Sequence, residues 1–342
     1  RRSVDHGDAS CDGAPLRLEK SKLPEHGDTA RNGTFVHFGF PVNARGLLGQ
    51  LPVRHGKGVL PLALGLLLGL LCVCALENIT MALGPVLYWK GVNGLILKIW
   101  RDRTFNHCSY VQCPTQNVQD RLRQSHFKAN LQRISNGIIP DQCIRPLTPP
   151  ADYEDPSRPF NIVCIGRLSA EKDQFTLLEA MKHSSYSKRI QLQFAGNGLK
   201  ADKIKKKAHK LYQDGILGYD PQFVFLDRDG LRELAAKSDL CIHCAFIEVE
   251  GLSIMEAIQQ AATPIIADGP TTGTTQFTTS RKNVFPAKNP EALAHRIDYW
   301  LSRPQERWEA GFAHAERLRK FNMDKTITQL VEMFSKAIEE NK

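Results

Sequence analysis

The chain has 342 residues, enough for two domains with substantial cores. Hydrophobic residues make up 42% of it and charged residues 24%, a composition that excludes a disordered protein. The formal net charge of +9 suits a phosphate-rich partner, namely a nucleotide, an anionic lipid or a nucleic acid. Nucleic acid is the weakest of these, because the sequence has no zinc-finger spacing, aromatic-studded RNA-binding sheet or long basic arm.

The beginning of the chain predicts a poorly ordered lead-in and then a first domain. Residues 1–34 are polar and rich in glycine, aspartate and arginine, without a recognisable period. A short buried strand at Phe35–Phe38 opens the first domain, which we place at residues 35–145.

Two stretches of the first domain have the composition of membrane-active segments. Residues 58–76 form an uncharged run of nineteen residues, the minimum length for a membrane span. The alternative, which we favour, is a peripheral or buried strand and helix interrupted by Pro61 and glycines. Residues 86–103 place apolar positions at helical spacing beside basic ones. Such a stretch can lie on an anionic membrane, although an ordinary surface helix is more frequent.

Three short elements and a proline-rich segment follow. The pattern predicts a strand at Tyr110–Pro114, a helix at Asn117–Ser125 and a strand at Leu131–Ile134. Six prolines between residues 140 and 159 exclude a helix or a central strand there. We therefore place an interdomain linker at residues 146–159.

Strands and helices alternate regularly in a second domain, residues 160–318, and a C-terminal helix is expected at 319–342. The predicted strands are Phe160–Ile165, Ile190–Ala195, Phe223–Leu226, Leu240–Ala245 and Pro264–Ala267. The predicted helices are Asp173–Lys182, Lys200–Asp214, Gly230–Lys237, Gly251–Gln260 and Pro290–Ser302. This alternation predicts an α/β fold with a doubly wound parallel sheet, whose ligands bind beyond the carboxyl ends of the strands.

A glycine and two basic residues follow the first of these strands. Gly166 allows the backbone to turn sharply and to approach a ligand closely. Arg167 can grip two phosphate oxygens with its planar guanidinium, and Lys172 adds a mobile positive charge. The alternative is that both basic residues only pair with Glu171 or Asp173 on the surface.

Two carboxylates flank the turn that opens the helix predicted from Gly251. The N–H groups of Gly251, Leu252 and Ser253 have no partner inside a helix and form an anion site. Glu256 can accept hydrogen bonds from ribose, and Glu248 from the hydroxyls of a transferred sugar. A surface acid and a partner of the helix dipole are the structural alternatives. We favour binding of a nucleoside diphosphate sugar, because both motifs fall at strand ends of one sheet.

Two further features have structural explanations that we favour. Cys241 and Cys244 have the spacing of a metal or redox pair, but they lie within an apolar run and are expected to be buried strand cysteines. The nine cysteines of the chain are scattered and odd in number, which indicates a reducing cytoplasm. The lysine run 200–210 is expected to form a solvated helix face, with a lipid or acceptor contact as the alternative.

These motifs resemble the GT-B glycosyltransferases of family 4, also called glycosyltransferase group 1. Gly166-Arg167-Leu168 with Glu171-Lys172 is similar to the phosphate-gripping element of the family, and Glu248 and Glu256 fall at the acids of its E-x7-E motif. A weaker resemblance extends to residues 134–138. The resemblance implies two Rossmann-like domains facing across a cleft, with a C-terminal helix that braces the first. Residues 35–145 are then a partial, truncated or divergent acceptor domain.

The resemblance also implies a function and its site. A hexose is expected to pass with retention from a nucleotide sugar, most simply a UDP-hexose, to a lipid or polysaccharide acceptor. The residues implied are catalytic Arg167, Lys172 and Glu248, and donor-binding Gly166, Gly198, Gly251, Leu252, Ser253 and Glu256. Neither a metal nor another cofactor is expected, because no Asp-x-Asp clamp stands in a suitable place. A cytoplasmic protein, peripheral on the inner membrane face, is the expected location.

Departures from the family keep two other functions open. Residues 71–76 lack the histidine that relatives carry there, and Ala261 stands where the family has glycine. A catalytically impaired nucleotide-sugar-binding protein is the first alternative. The second is a membrane-associated scaffold in which residues 58–76 span the bilayer.

Overall fold

The computed structural model describes residues 108–124 and 128–340, all of which belong to one unit, Leu62–Lys342. The predictions made for residues 1–107 lie outside the described residues: the lead-in, the strand Phe35–Phe38, the apolar run 58–76 and the stretch 86–103. Within the described ranges, no helix combines the length and the apolar character needed to cross a bilayer.

A small parallel sheet comes first in the described chain. It consists of strand β1 (Tyr110–Cys113), helix α1 (Gln116–Gln124) and strand β2 (Asn130–Arg133). Val111 and Cys113 of β1 are buried against the apolar face of α1, which explains why this short segment folds as a unit. The sequence predicted all three elements to within two residues at each end.

A second sheet of six strands forms the main body. Its strands are β3 (Phe160–Ile165), β4 (Ile190–Ala195), β5 (Gln222–Val224), β6 (Leu240–His243), β7 (Thr263–Asp268) and β8 (Val284–Pro286). They are all parallel, in the spatial order β5-β4-β3-β6-β7-β8. The central strands are buried on both faces, as Ile162 and Val163 of β3 show. The chain order reverses between β3 and β6, so the ligand crevice lies at their carboxyl ends.

Helices cover both faces of the main sheet. They are α2 (Gln174–Ala180), α3 (Ala201–Gln213), α4 (Arg228–Ala236), α5 (Leu252–Gln259), α6 (Pro290–Leu301) and α7 (Pro304–Leu318), and a further helix, α8 (Met323–Glu340), follows them. Their start positions follow local chemistry: the Asn289 side chain accepts a hydrogen bond from Ala292 N, and Pro290 occupies the first helical position. On α3, Lys207 pairs with Glu179 and Lys210 with Asp214, as expected of a solvated face.

The structure confirms the predicted parallel α/β fold and corrects some of its bounds. Strands β3 and β4 have the predicted limits. Strand β5 ends at Val224 instead of Leu226, because it is an edge strand paired with β4 over three residues, and Phe225 is 79% exposed. Strand β8 was not predicted, because a three-residue edge strand that ends in Pro286 is too short to show a recognisable apolar pattern.

A buried charge network attaches the proline-rich segment to the main sheet. The carboxylate of Asp239, just before β6, is 1% exposed and accepts hydrogen bonds from Arg307 (3.2 Å), Arg158 (2.7 Å) and the backbone N of Asn161 (2.9 Å). Arg307 also donates to the hydroxyl of Tyr153. Residues 139–159 contain no helix or strand, and this network is one reason why they hold a defined path.

Helix α8 returns to the small sheet after the main sheet is complete. Asn322 forms a parallel bridge with Ile138, and Thr326 Oγ1 donates to the carbonyl of Ser135 at 2.9 Å. At the other end of α8, Glu340 accepts a hydrogen bond from the hydroxyl of Tyr110. The small sheet is therefore in contact with the last helix of the chain as well as with the main sheet.

Candidate donor-binding site

The turns after β3 and β4 pack backbone to backbone and form one wall of the crevice. Gly166 follows β3, and its N–H donates to the carbonyl of Ala195 at 2.9 Å. Gly196 follows β4 with φ +141, and a Cβ there would lie 2.2 Å from Gly166 O. Gly198 is exposed in the same turn, where a Cβ would lie 2.5 Å from Leu168 O. Side chains are excluded from this wall by packing, independently of any ligand.

This packing gives a stability prediction with an internal control. Gly196→Ala is expected to lower the free energy of unfolding by about 1–3 kcal/mol, because it combines a disfavoured φ with a backbone overlap. Gly215→Ala also places alanine at positive φ (+69), but its nearest neighbour is the flexible end of Lys188 at 3.5 Å. Urea unfolding of both variants measures the difference. Equal losses would show that φ alone, and not the contact between the turns, demands glycine at 196.

Arg167 lies on the exposed side of the first turn. Its guanidinium pairs with the carboxylate of Glu171 at 3.3 Å, and its side chain is 56% exposed. Glu171 also accepts a hydrogen bond from Ser169 Oγ at 2.6 Å. The surface pair that was the alternative for Arg167 is therefore present.

Lys172 is placed differently, in a largely buried cluster with Glu248 and His243. Its ammonium pairs with Glu248 Oε2, and the two side chains are 14% and 13% exposed. His243 Nε2 lies 3.2 Å from the same oxygen but is not aligned as a hydrogen bond. Burial by itself would raise the pKa of Glu248, but the charge of Lys172 and the contact with His243 outweigh it and lower the pKa to about 2. The cluster therefore holds a carboxylate that stays ionised.

His243 was not recognised as part of the site from the sequence. It is the last residue of β6 and is buried, and burial lowers the pKa of its imidazole although Glu248 opposes this. The ring is therefore neutral near pH 7. The signal in the sequence was a single polar residue in an apolar strand, five positions before Glu248.

The cysteines themselves are buried in the sheet, as predicted. Cys241 and Cys244 are each 1% exposed, and burial raises the pKa of both thiols. Within the described part of the chain, no group of three or more histidine, cysteine or acidic side chains is arranged to hold a metal ion.

The second motif forms the start of α5, as the sequence predicted. Gly251 caps the helix with φ +83, and a Cβ there would lie 2.6 Å from Thr274 Cγ2. The N–H groups of Gly251, Leu252 and Ser253 make no backbone hydrogen bond to other described residues. Ser253 Oγ would lie 3.6 Å from a Cβ on Gly166, so the two motifs meet here. The helix start therefore faces the turn after β3 with free donors.

Glu256 lies one turn further along α5 and is open to solvent. No described residue donates a hydrogen bond to its carboxylate or pairs with it. Partial burial raises its pKa, and the positive charge of Arg228 opposes this. The structure thus brings Lys172, Glu248 and the helix start together, while the side chains of Arg167 and Glu256 form no hydrogen bond or ion pair with Lys172 or Glu248.

Glu250 is a buried acid between the two predicted ones that the sequence did not single out. Its carboxylate is 2% exposed and accepts hydrogen bonds from Ser135 Oγ and from Asn136 N (2.8 Å). Burial raises its pKa to about 7, although both hydrogen bonds act in the opposite direction. Three acids within nine residues were visible in the sequence, but nothing there assigned Glu250 to the small sheet.

A model of one protein family covers the main sheet and the site. The match is to Glycosyl transferases group 1 and spans residues 150–317. The chain contains a group 1 glycosyl transferase domain. Its boundaries enclose both motifs, the Lys172–Glu248–His243 cluster and all six strands of the main sheet.

Solved structures of other proteins share the fold of this chain, among them sucrose-phosphate synthase and HepE. Sucrose-phosphate synthase from Thermosynechococcus elongatus is 20% identical, with a TM-score of 0.61, over 75% of this chain and 66% of that one. HepE from Anabaena is 20% identical, with a TM-score of 0.58, over 73% of this chain and 69% of that one. The catalytic domain of cholesterol-alpha-glucosyltransferase from Helicobacter pylori is 32% identical over 48% of this chain and 100% of that one, with a TM-score of 0.43. No curated protein was found to match the chain.

Proposed function

We propose that the protein is a glycosyltransferase that moves a hexose from a nucleotide sugar to a lipid or polysaccharide acceptor, with retention of configuration. The observation that carries this proposal is the buried Lys172–Glu248 pair beside the free N–H groups at the start of α5. The group 1 glycosyl transferase domain agrees with it. We place donor binding in residues 160–318 and acceptor binding in residues 35–145.

Positive charge and backbone donors would stabilise the leaving diphosphate. Negative charge on the leaving group increases in the transition state, so donors fixed in advance lower the barrier. The amides at the start of α5 are fixed by the Gly251 turn, and Lys172 is fixed by Glu248. Arg167 is held only by the exposed Glu171 pair, which contributes about 0–1 kcal/mol and is readily exchanged for phosphate oxygens.

The two acids of the second motif have free acceptor atoms for sugar hydroxyls. Lys172 and His243 both lie at Oε2 of Glu248, and no described residue donates to its Oε1. Glu248 can therefore orient the transferred sugar through Oε1 while remaining ionised. Glu256 has both oxygens free among the described residues and is proposed to accept from the ribose.

A uridine diphosphate is the proposed carrier. HepE was solved in complex with UDP, and in a second structure with UDP and glucose. TarM, 18% identical to this chain, was solved with UDP and alpha-GlcNAc-glycerol among its ligands. These complexes belong to those proteins, and they make a UDP-hexose the first donor to test here.

The proposal is tested by donor binding and product formation in the full chain. We expect a UDP-hexose to raise the thermal unfolding midpoint, and Arg167→Ala and Glu256→Ala to weaken donor binding by about 10-fold or more each, since each loses a charged hydrogen bond of 1.5–3 kcal/mol. Arg319→Ala and Glu332→Ala, which change exposed residues of the same types away from the crevice, serve as controls.

Three outcomes separate the proposal from its alternatives. Donor binding followed by a glycosylated product supports it. Binding without transfer or donor hydrolysis would instead identify a nucleotide-sugar-binding protein. If neither variant changes donor binding while the wild-type chain binds UDP, the assignment of the site is wrong.

A further inference from the structure

Glu250 belongs to the loop 244–251, which carries Glu248 and ends at the cap of α5. Its carboxylate is almost completely buried and is satisfied by groups of the segment after β2, the hydroxyl of Ser135 and the N–H of Asn136. These contacts span more than a hundred residues of sequence. They join the loop of the proposed donor site directly to the small sheet.

Other contacts of the same loop lead to the small sheet as well. Thr115 Oγ1, just after β1, donates to the carbonyl of Val249 at 3.2 Å. Gly273 N donates to the carbonyl of Glu248 at 2.9 Å, and a Cβ on Gly273 would lie 2.6 Å from Thr115 Oγ1. The ends of both small-sheet strands therefore converge on the loop that positions Glu248.

Among these contacts, the one made by Glu250 is costly to maintain. A buried carboxylate loses several kcal/mol of hydration, which two hydrogen bonds only partly replace. The pKa of about 7 reflects this: burial dominates, and the nearby Glu248 adds to it. An apolar side chain would fill the position without the loss of carboxylate hydration. The presence of Glu250 is therefore better explained by the two segments that its hydrogen bonds hold together.

We propose that Glu250 is a positioning residue that couples the loop 244–251 to the segment after β2, so that Glu248 and the start of α5 keep their alignment with the small-sheet part of the protein. This inference rests on the proposed function. Donor contacts come from the main sheet alone, whereas transfer needs donor and acceptor groups held together. Loss of the coupling should therefore lower turnover much more than donor affinity.

The first test compares donor affinity with turnover in the full chain. Glu250→Ala is expected to leave the Kd for UDP within about 3-fold and to lower kcat by about 10- to 100-fold, the effect of misplacing reacting groups by an ångström or so. Glu250→Gln keeps a carbonyl acceptor for Asn136 N and is expected to recover most of kcat. Glu233→Gln, an exposed acid on α4 paired with Lys237, is the matched control.

Ser135→Ala is a milder second variant that removes one hydrogen bond without leaving Glu250 unpaired. Because both residues act through one contact, the Glu250→Ala/Ser135→Ala double variant should be no slower than Glu250→Ala alone. The proposal fails if folded Glu250→Ala keeps kcat within 2-fold, if its Kd for UDP rises as much as kcat falls, or if the two single effects multiply.

Hydrogen exchange gives a readout that does not need transfer activity. In Glu250→Ala, amides of residues 134–137 and 246–251 should lose protection together, and UDP should no longer protect 134–137. Unchanged exchange in both segments would overturn the coupling. Failure of the wild-type chain to bind UDP would instead overturn the proposed function. Hydrogen exchange measured without UDP would still decide whether Glu250 joins the two segments.

Discussion

Lys172→Met is expected to lower glycosyl transfer by about 100- to 1,000-fold, the cost of removing one fixed charge-stabilising group from a transition state. It is also expected to destabilise the fold, because Glu248 would remain buried without its partner, at a cost of about 3–5 kcal/mol. The measurements are kcat with the preferred donor and urea unfolding without donor.

A second substitution separates the two effects. Lys172→Met/Glu248→Gln removes the unpaired charge and should recover most of the lost stability, while transfer remains at the level of the single variant. Lys210→Met, which breaks an exposed pair with Asp214, is the control and should change neither quantity measurably. Full transfer by a folded Lys172→Met variant would remove this residue from the proposed site.

A loss of stability at least as large as that of Lys172→Met is expected from Asp239→Ala. The substitution leaves the guanidinium of Arg307, 1% exposed, without its carboxylate in the interior, and breaking a buried pair in this way costs about 3–5 kcal/mol. Because Arg158 and the N–H of Asn161 also lose an acceptor, the proline-rich segment should loosen along with β3.

Asp268→Ala is the matched control for this prediction. Asp268 pairs with Arg281 at 3.1 Å, but both side chains are exposed, so the loss should not exceed about 1 kcal/mol. Chemical unfolding of both variants gives the comparison, and proteolysis within residues 139–159 reports the loosening. If both variants lose a similar free energy of unfolding, the buried Asp239 network contributes no more to stability than an exposed ion pair.

The fold of the main sheet could be predicted because its sequence signals are local. The apolar run Ile162–Ile165, which ends at Gly166, predicts β3, and Asn289-Pro290 marks the start of α6. Short edge strands such as β5 and β8 are set by what they pair with, so their limits do not appear in the pattern. Ala261 has φ +57, a conformation that favours glycine, and this could only be seen in the structure.

The site could be predicted in its residue types but not in its pairing. The sequence indicated Lys172 and Glu248 separately, as a phosphate binder and a sugar binder, and the structure shows them as one ion pair. His243 is part of the site because it is buried beside Glu248, and Glu250 because it binds Ser135 and Asn136, which are far away in the sequence. A sequence motif shows neither kind of contact. The start of α5 could be predicted because it depends on the position of one helix terminus, whereas the role of Glu256 stays a prediction.

The buried sulfur atoms of the main sheet offer a way to follow its opening. Cys164, Cys241 and Cys244 are inaccessible, and burial raises the pKa of Cys164 to about 12, so alkylating reagents meet almost no thiolate there in the native protein. Cys108 is exposed, and we expect it to be labelled much faster. The labelling rates of these three buried cysteines are therefore expected to report how often the sheet and the start of the loop 244–251 open, without the introduction of a new cysteine.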